Sequence, residues 1–267
     1  EVYKEITQRL KEELDYLRER KLTQIFNKIF NDSDYVHIPE TINNLSTKRL
    51  LTMTWLEGKH ILDFKNEKKE TRNKIAKNMF YTWYKPFYEF GIIHGDPHLG
   101  NYTVRPNCSI NLFDFGCMRI FNGKFIQGVI DLYYALLNDD NDKAVYAYTQ
   151  WGFKDLNKRK LAVLNKWANF IYSPLMKDKV QKIQESESGV YGAKIAAEVH
   201  SELKKIGGVK PPKEFVFMDR AAVGLGSVFM HLKAEINWYR IFHELIENFE
   251  QKKLIARQQK ALNLVKL

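Results

Sequence analysis

Apolar residues recur at helical spacing from the start of the chain: Val2, Ile6, Leu10, Leu14 and Leu17, then Ile25, Phe26, Ile29 and Phe30. The spacing predicts a long amphipathic helix over Glu1–Asn31, with a break near Leu17–Lys21. Glu12, Glu13 and Asp15 punctuate it, and periodicity alone makes them a solvated acidic face. Two strands are predicted next, Val36–Ile38 and Leu50–Leu56, joined through Pro39 and the polar run Asn43-Asn44-Leu45-Ser46. Both faces of the second are apolar or β-branched, so it is expected to be covered on both sides. Glu57-Gly58 ends it, either as a hinge between two lobes or as a plain strand-to-helix turn.

A charged stretch over Asn66–Lys74 leads into a helix over Lys69–Phe90. Ile75, Met79, Trp83 and Phe87 form its buried stripe. Pro86 should kink its last turn, and Gly91 closes it. The helix is rich in aromatic residues, which favours core packing over a ligand platform. Ile92-Ile93 then carry the chain through the core. Beyond Gly116 helical periodicity dominates, over Phe125–Asn138, Asn141–Trp151, Asn157–Tyr172, Ala193–Ile206 and Lys213–Lys233. Ser188-Gly189, Gly207-Gly208 and Pro211-Pro212 are the breaks. Asp219 and Arg220 interrupt an apolar run, and a buried or half-buried Arg220 calls for a structural ion pair. Gln251–Leu267 is basic and amphipathic. It reads as an exposed or packed terminal helix, with a membrane-surface helix as the alternative.

Candidate chemistry lies between the helical parts. His94-Gly95-Asp96-Pro97-His98-Leu99-Gly100-Asn101 is followed by two strand-like runs, Tyr102–Arg105 and Ile110–Phe113, and then by Asp114-Phe115-Gly116. Pro97 and Gly100 keep the first cluster from becoming a regular helix. Pro106-Asn107 favours a turn, so the two runs form a hairpin that returns Asp114 beside Asn101. An Asp to accept a hydroxyl proton, with an Asn and a second Asp to hold magnesium against phosphates, are the parts of a phosphoryl-transfer site. Oxygen ligands suit that hard cation. A zinc-binding reading of His94 and His98 is weaker, because Pro97 sits inside the pair.

At 267 residues, 45% apolar and 28% charged, the chain has the make-up of a globular protein with a sizeable core. A net charge of +10 predicts anionic company, a nucleotide or acidic lipid. No nucleic-acid module is visible, and the lysines are scattered rather than clustered. Cys108 and Cys117 are too few for a disulfide framework. No apolar run reaches the roughly 18 residues of a membrane span.

Taken together, these segments resemble the UbiB-like (AarF-domain) atypical kinase family tied to ubiquinone biosynthesis. Glu13-Leu14-Asp15 is similar to the family's Glu-x-Asp motif. Ile38-Pro39, Leu45-Ser46-Thr47-Lys48-Arg49 and Trp55-Leu56-Glu57-Gly58 are similar to its strand-and-hinge signature. His94–Asn101 and Asp114-Phe115-Gly116 are similar to its catalytic loop and metal motif, and Pro211-Pro212 to its carboxy-terminal segment. The resemblance implies an α+β, protein-kinase-like fold, with a truncated amino-terminal lobe of one long helix and few strands and a mainly helical carboxy-terminal lobe. It implies ATP and Mg²⁺ as cofactors, with an unorthodox phosphotransferase or ATPase activity that supports isoprenoid-quinone synthesis. Asp96 becomes the catalytic Asp, and Asn101 and Asp114 the metal ligands. Glu13 partners the nucleotide lysine, Met53 backs the adenine pocket, and the backbone of Thr54 and Leu56 meets the adenine edge. His98 stands where many kinases place a phosphate-contacting lysine; it either touches phosphate or braces the loop.

The expected division is a partial nucleotide lobe over 1–58, a helical catalytic lobe over 59–250 and a basic tail over 251–267. The family's nucleotide lysine, Ala-rich loop and Lys-x-Gly-Gln extension would all precede residue 1, where the chain opens inside a helical pattern. These residues alone are therefore expected to bind ATP weakly. Expected partners are a nucleotide, a membrane surface or isoprenoid lipid, and quinone-biosynthesis proteins. The expected setting is the cytoplasm, the cytoplasmic face of the inner membrane or an organellar matrix. Two other readings stand beside this one: a small-molecule phosphotransferase of the aminoglycoside or choline kinase type, and a non-catalytic scaffold or lipid-binding module of kinase shape.

Overall fold

The computed structural model describes residues 14–184, 190–205 and 212–267. Helix α1 (Tyr16–Ile29) is capped by Asp15, whose side chain accepts from the Arg18 N–H at 3.1 Å. It runs unbroken across Leu17–Lys21, contrary to the predicted break. The charges there face protein rather than water, and Glu19 is buried. The rest of the expected Glu1–Asn31 helix lies mostly outside the described residues. Leu22, Ile25 and Phe26 are sealed into the core, each contributing about 1.5–3 kcal/mol by burial.

Strand β1 (Val36–His37) follows as read. Leu50–Leu56 does not form the predicted strand. Only isolated bridges join Met53 to Thr41 and Leu50 to Thr47, and Leu50 and Trp55 are 56% and 86% exposed. Alternation makes a strand only where another strand lies alongside, and here only the short stretch Glu40–Ile42 does, through the Ile42 N–H to the Thr52 carbonyl and the Thr54 N–H to the Glu40 carbonyl. Hydroxyls add to these bonds. Ser46 Oγ donates to the Ile42 carbonyl and accepts from the Thr52 N–H, while Thr52 Oγ1 donates to the Leu45 carbonyl.

Helix α2 (Lys69–Phe90) spans the predicted range, continues past Pro86, and ends at Gly91 in the left-handed conformation. Its stripe is buried as expected: Ile75, Met79, Trp83 and Phe87. Strands β2 (Ile92–His94), β3 (Tyr102–Val104), β4 (Ile110–Leu112) and β5 (Met118–Ile120) come next. β3 and β4 form the predicted hairpin, with Tyr102 opposite Leu112 and Val104 opposite Ile110. β1 adds in parallel to β4, giving the order β1-β4-β3. β2 pairs antiparallel with β5, a sheet the sequence reading did not foresee.

Glu57-Gly58 is anchored to this hairpin. Asn111 donates to the Glu57 carbonyl at 2.9 Å, and Lys59 and Val104 exchange two backbone hydrogen bonds of 2.8 Å. A methyl group on Gly58 would lie 2.4 Å from Thr103 Oγ1, so only glycine fits.

The remainder is helical. α3 (Gly123–Leu137) and α4 (Asn141–Gln150) pack as a hairpin, with Trp151 donating to the Phe125 carbonyl. α5 (Lys158–Tyr172), the short β6 (Gln181–Lys182), α6 (Val190–Lys205) and α7 (Lys213–His231) follow. β7 (Glu235–Ile236) pairs with β6. α8 (Trp238–Ile246), not foreseen, buries Trp238 and Phe242. α9 (Gln251–Leu264) docks through the fully buried Leu254, and its Gln258 amide donates to the Phe90 and Phe121 carbonyls. It is a packed terminal helix. No helix among the described residues is long and apolar enough to cross a membrane.

Candidate active site

His94 is the pivot of the polar loop. It lies on β2, fully enclosed, its ring tilted against that of Trp83, whose indole N–H donates to the His94 carbonyl at 3.1 Å. Its Nδ1 accepts from the Asp96 N–H at 3.2 Å, which leaves Nε2 as the protonated nitrogen facing the Phe113 carbonyl at 3.4 Å. Burial lowers its pKa despite the two nearby carboxylates, Asp114 and Asp96, which pull the other way. A neutral imidazole therefore bridges the start of the loop to the end of β4. Both its ring nitrogens are engaged.

Asp96 and Asn101 are tied together. Asn101 Nδ2 donates to the Asp96 backbone carbonyl and to Asp96 Oδ2, both at 3.2 Å. With its amide N–H₂ so occupied, Asn101 has its carbonyl oxygen left to offer. The Phe113 N–H donates to the Asn101 backbone carbonyl at 2.8 Å, which extends the hairpin ladder by one pair and sets Asp114 next to Asn101. Asp114 is held at φ 55, an uncommon conformation for a side-chain-bearing residue, and its Oδ1 accepts from the Gly116 N–H at 3.1 Å. Its Oδ2 makes no such turn contact. Asp96 and Asn101 are thus joined side chain to side chain, and the hairpin brings the backbone just before Asp114 alongside Asn101.

His98 Nδ1 accepts from the Gly100 N–H at 3.1 Å and caps a short 3₁₀ turn over Leu99–Asn101. That contact holds the turn. Met53 is half-buried; the Thr54 N–H is already given to the Glu40 carbonyl at 2.9 Å and cannot meet an adenine edge. Of the Thr54 backbone polar groups, the carbonyl is the one left for such an edge. Glu13 lies outside the described residues.

A carboxylate that the sequence reading missed stands on α1. Glu19 Oε1 accepts from the Phe115 N–H at 3.2 Å. Burial raises its pKa most, and the Asp114 charge adds to that rise against the lowering effect of the Phe115 bond. Arg18, beside it, donates to the Gly116 and Met118 carbonyls at 3.2 and 3.3 Å. Phe115 itself is fully buried against Phe26. The helix therefore grips the Asp-Phe-Gly segment from one side.

From the other side comes α7. Gly224 meets the loop so closely that a methyl group there would lie 2.4 Å from Pro97 Cγ. One turn earlier, Arg220 Nη2 stands 3.7 Å from Asp96 Oδ1. The ion pair expected for Arg220 exists, but its side chain is 70% exposed rather than buried. Asp219 turns inward in its place, because successive helix positions point about 100° apart.

Residues 1–148, more than half of the chain, match the ABC1 atypical kinase-like domain. The chain belongs to that family. This bears out the resemblance to the UbiB-like proteins. Among curated relatives, the ABC1 chain is 23% identical over 256 residues to the mitochondrial atypical kinase coq-8 of Caenorhabditis elegans, covering 90% of this chain and 32% of that protein. It is 32% identical over 154 residues to the chloroplastic protein Activity of BC1 complex kinase 1 of Arabidopsis thaliana, covering 56% of this chain and 22% of that one. Against the mitochondrial atypical kinase COQ8 of Saccharomyces cerevisiae it is 31% identical over 132 residues, covering 49% of this chain and 26% of the yeast protein. The ABC1 chain thus spans a third or less of these relatives. Its fold is similar to that of Rv3197 from Mycobacterium tuberculosis, solved in complex with erythromycin, with a TM-score of 0.69 and 18% identity over 92% of this chain and 61% of that one. The ABC1 domain is accordingly a helix-rich α+β, kinase-like fold.

Proposed function

We propose that this ABC1 domain binds a magnesium nucleotide and directs its terminal phosphoryl group to water or to an acceptor hydroxyl. The observation that carries the reading is the tether between Asn101 and Asp96, with Asp114 returned beside them by the hairpin. The donor set fits a hard cation: Asn101 presents a carbonyl oxygen, and Asp114 keeps one carboxylate oxygen outside its turn contact. The nucleotide supplies the phosphoryl group, and the metal neutralises charge around it.

Asn101 and Asp114 hold the cation. Asp96, fixed by Asn101 and by the His94-bonded backbone, takes the proton of the attacking hydroxyl. His98 braces the loop. Met53, the Thr54 carbonyl and the Leu56 N–H meet the base. Glu19 takes the part that the family resemblance gave to Glu13, a helix carboxylate whose burial beside Asp114 calls for a cation. In the cell the domain serves isoprenoid-quinone synthesis at a membrane surface, a setting supported by its mitochondrial and chloroplastic relatives and by its net charge of +10.

The test is phosphate release from Mg-ATP by the full-length protein, with parallel calorimetry. Asp96→Asn should cut turnover by about 10²- to 10⁴-fold with nucleotide affinity retained. Asp114→Asn should weaken metal-dependent nucleotide binding as well. Full turnover in both variants would overturn the reading. Phosphate recovered on an added alcohol, rather than free, would make the domain a small-molecule phosphotransferase.

A further inference from the structure

On the side of α7 away from the catalytic loop lies a cavity of about 1100 Å³. Tyr84 and Tyr88 of α2, Trp167 and Phe170 of α5, Phe229 of α7 and Phe242 of α8 are among the residues that line it. It is a cleft open to solvent, too large to be an ordinary packing defect. It matches the upper end of ligand sites, roughly 300–1000 Å³.

Three features describe what would fill it. Gly226 sits on the cavity side of α7, and a methyl group there would meet no atom within 4 Å. Glycine inside a helix is less favourable than alanine, so the wall is kept bare where alanine would fit at no steric cost. The side-chain amide nitrogen of Gln184 is buried in this wall with no hydrogen-bond partner among the described residues. A buried donor left so is destabilising, a cost that an acceptor oxygen on a ligand would recover. Finally, Lys177 and Lys179 line the rim without ion-pair partners among the described residues. Asp178 between them is taken by Arg240 at 2.8 Å, and the rim's Lys166 is held by Glu198 and Glu202.

We propose that this cavity binds a single-chain anionic amphiphile. The chain lies among the aromatic rings. An oxygen of the head accepts from Gln184, and its charge faces Lys177 and Lys179. Neither the loop at Asp96 nor phosphoryl transfer takes part, so the two proposals stand or fall separately.

The test is calorimetric titration of the protein with laurate and with 1-dodecanol, each below its aggregation limit, alongside thermal unfolding. Laurate should bind in the micromolar range and raise the Tm, with 1-dodecanol at least tenfold weaker. Gly226→Leu fills the void and should weaken laurate at least tenfold. A Lys177→Ala/Lys179→Ala double variant, altered only at exposed positions, should weaken laurate about fivefold and leave 1-dodecanol unchanged. No laurate binding, equal affinity for the alcohol, or laurate binding untouched by the lysine changes would each overturn the proposal.

Discussion

Asp219 and Arg220 are adjacent in sequence and opposite in surroundings. Burial pushes the Asp219 carboxyl up to about 6, against the lowering effect of the Trp167 indole N–H bonded to it at 2.6 Å. The folded protein therefore holds a proton between the ordinary carboxylate range and about pH 6 that the unfolded chain has released. Stability from this group is present below that window and is lost as pH rises through it. Buried His94, with its lowered pKa, acts in the opposite sense, so the wild-type profile mixes both. The difference between variants separates them: Asp219→Asn keeps an acceptor for Trp167 and should gain about 2 kcal/mol over wild type at pH 8. At pH 4.5 the gain should be much smaller. Equal gains in thermal unfolding at both pH values would contradict this. The tie between Asp96 and Asn101 and the hairpin leading to Asp114 were legible because they lie within 19 positions. Glu19 was not, since its meaning comes from a backbone N–H 96 residues away.

The two glycines of α7 make opposite predictions. Replacing a helical glycine by alanine ordinarily stabilises by about 1 kcal/mol, and Gly226→Ala, facing the void, should do so. Gly224→Ala should destabilise by about 1–3 kcal/mol, because the new methyl drives the helix off Pro97. Urea unfolding of both variants reads the signs directly, and a stabilised Gly224→Ala would show that the loop yields freely. Helices of this length were read from periodicity to within a few residues, as for Lys69–Phe90 and Lys213–His231. Short elements were harder. Three-residue β2 and β5 gain their identity only from pairing with each other, and the apparent alternation over Leu50–Leu56 lacked a partner strand to make it real.

At the scale of the whole molecule, the kinase-like plan was legible through its polar centre, whose motifs sit in order along the chain. How the surrounding helices close on it was not, because α1 and α7 reach the loop from opposite ends of the sequence. The anchoring of Glu57-Gly58 to the hairpin has a mechanical corollary. If the nucleotide side opens and shuts like a jaw, the fulcrum cannot be Gly58, which moves as part of the hairpin; bending must be absorbed upstream, in the hydroxyl-laced ribbon over 42–56. Hydrogen–deuterium exchange should then show the amides of Lys59 and Val104 as slow as the helical interior, with those of 47–56 far faster. Gly58→Ala, by prising the ribbon from Thr103, would let Lys59 and Val104 exchange at the ribbon's pace.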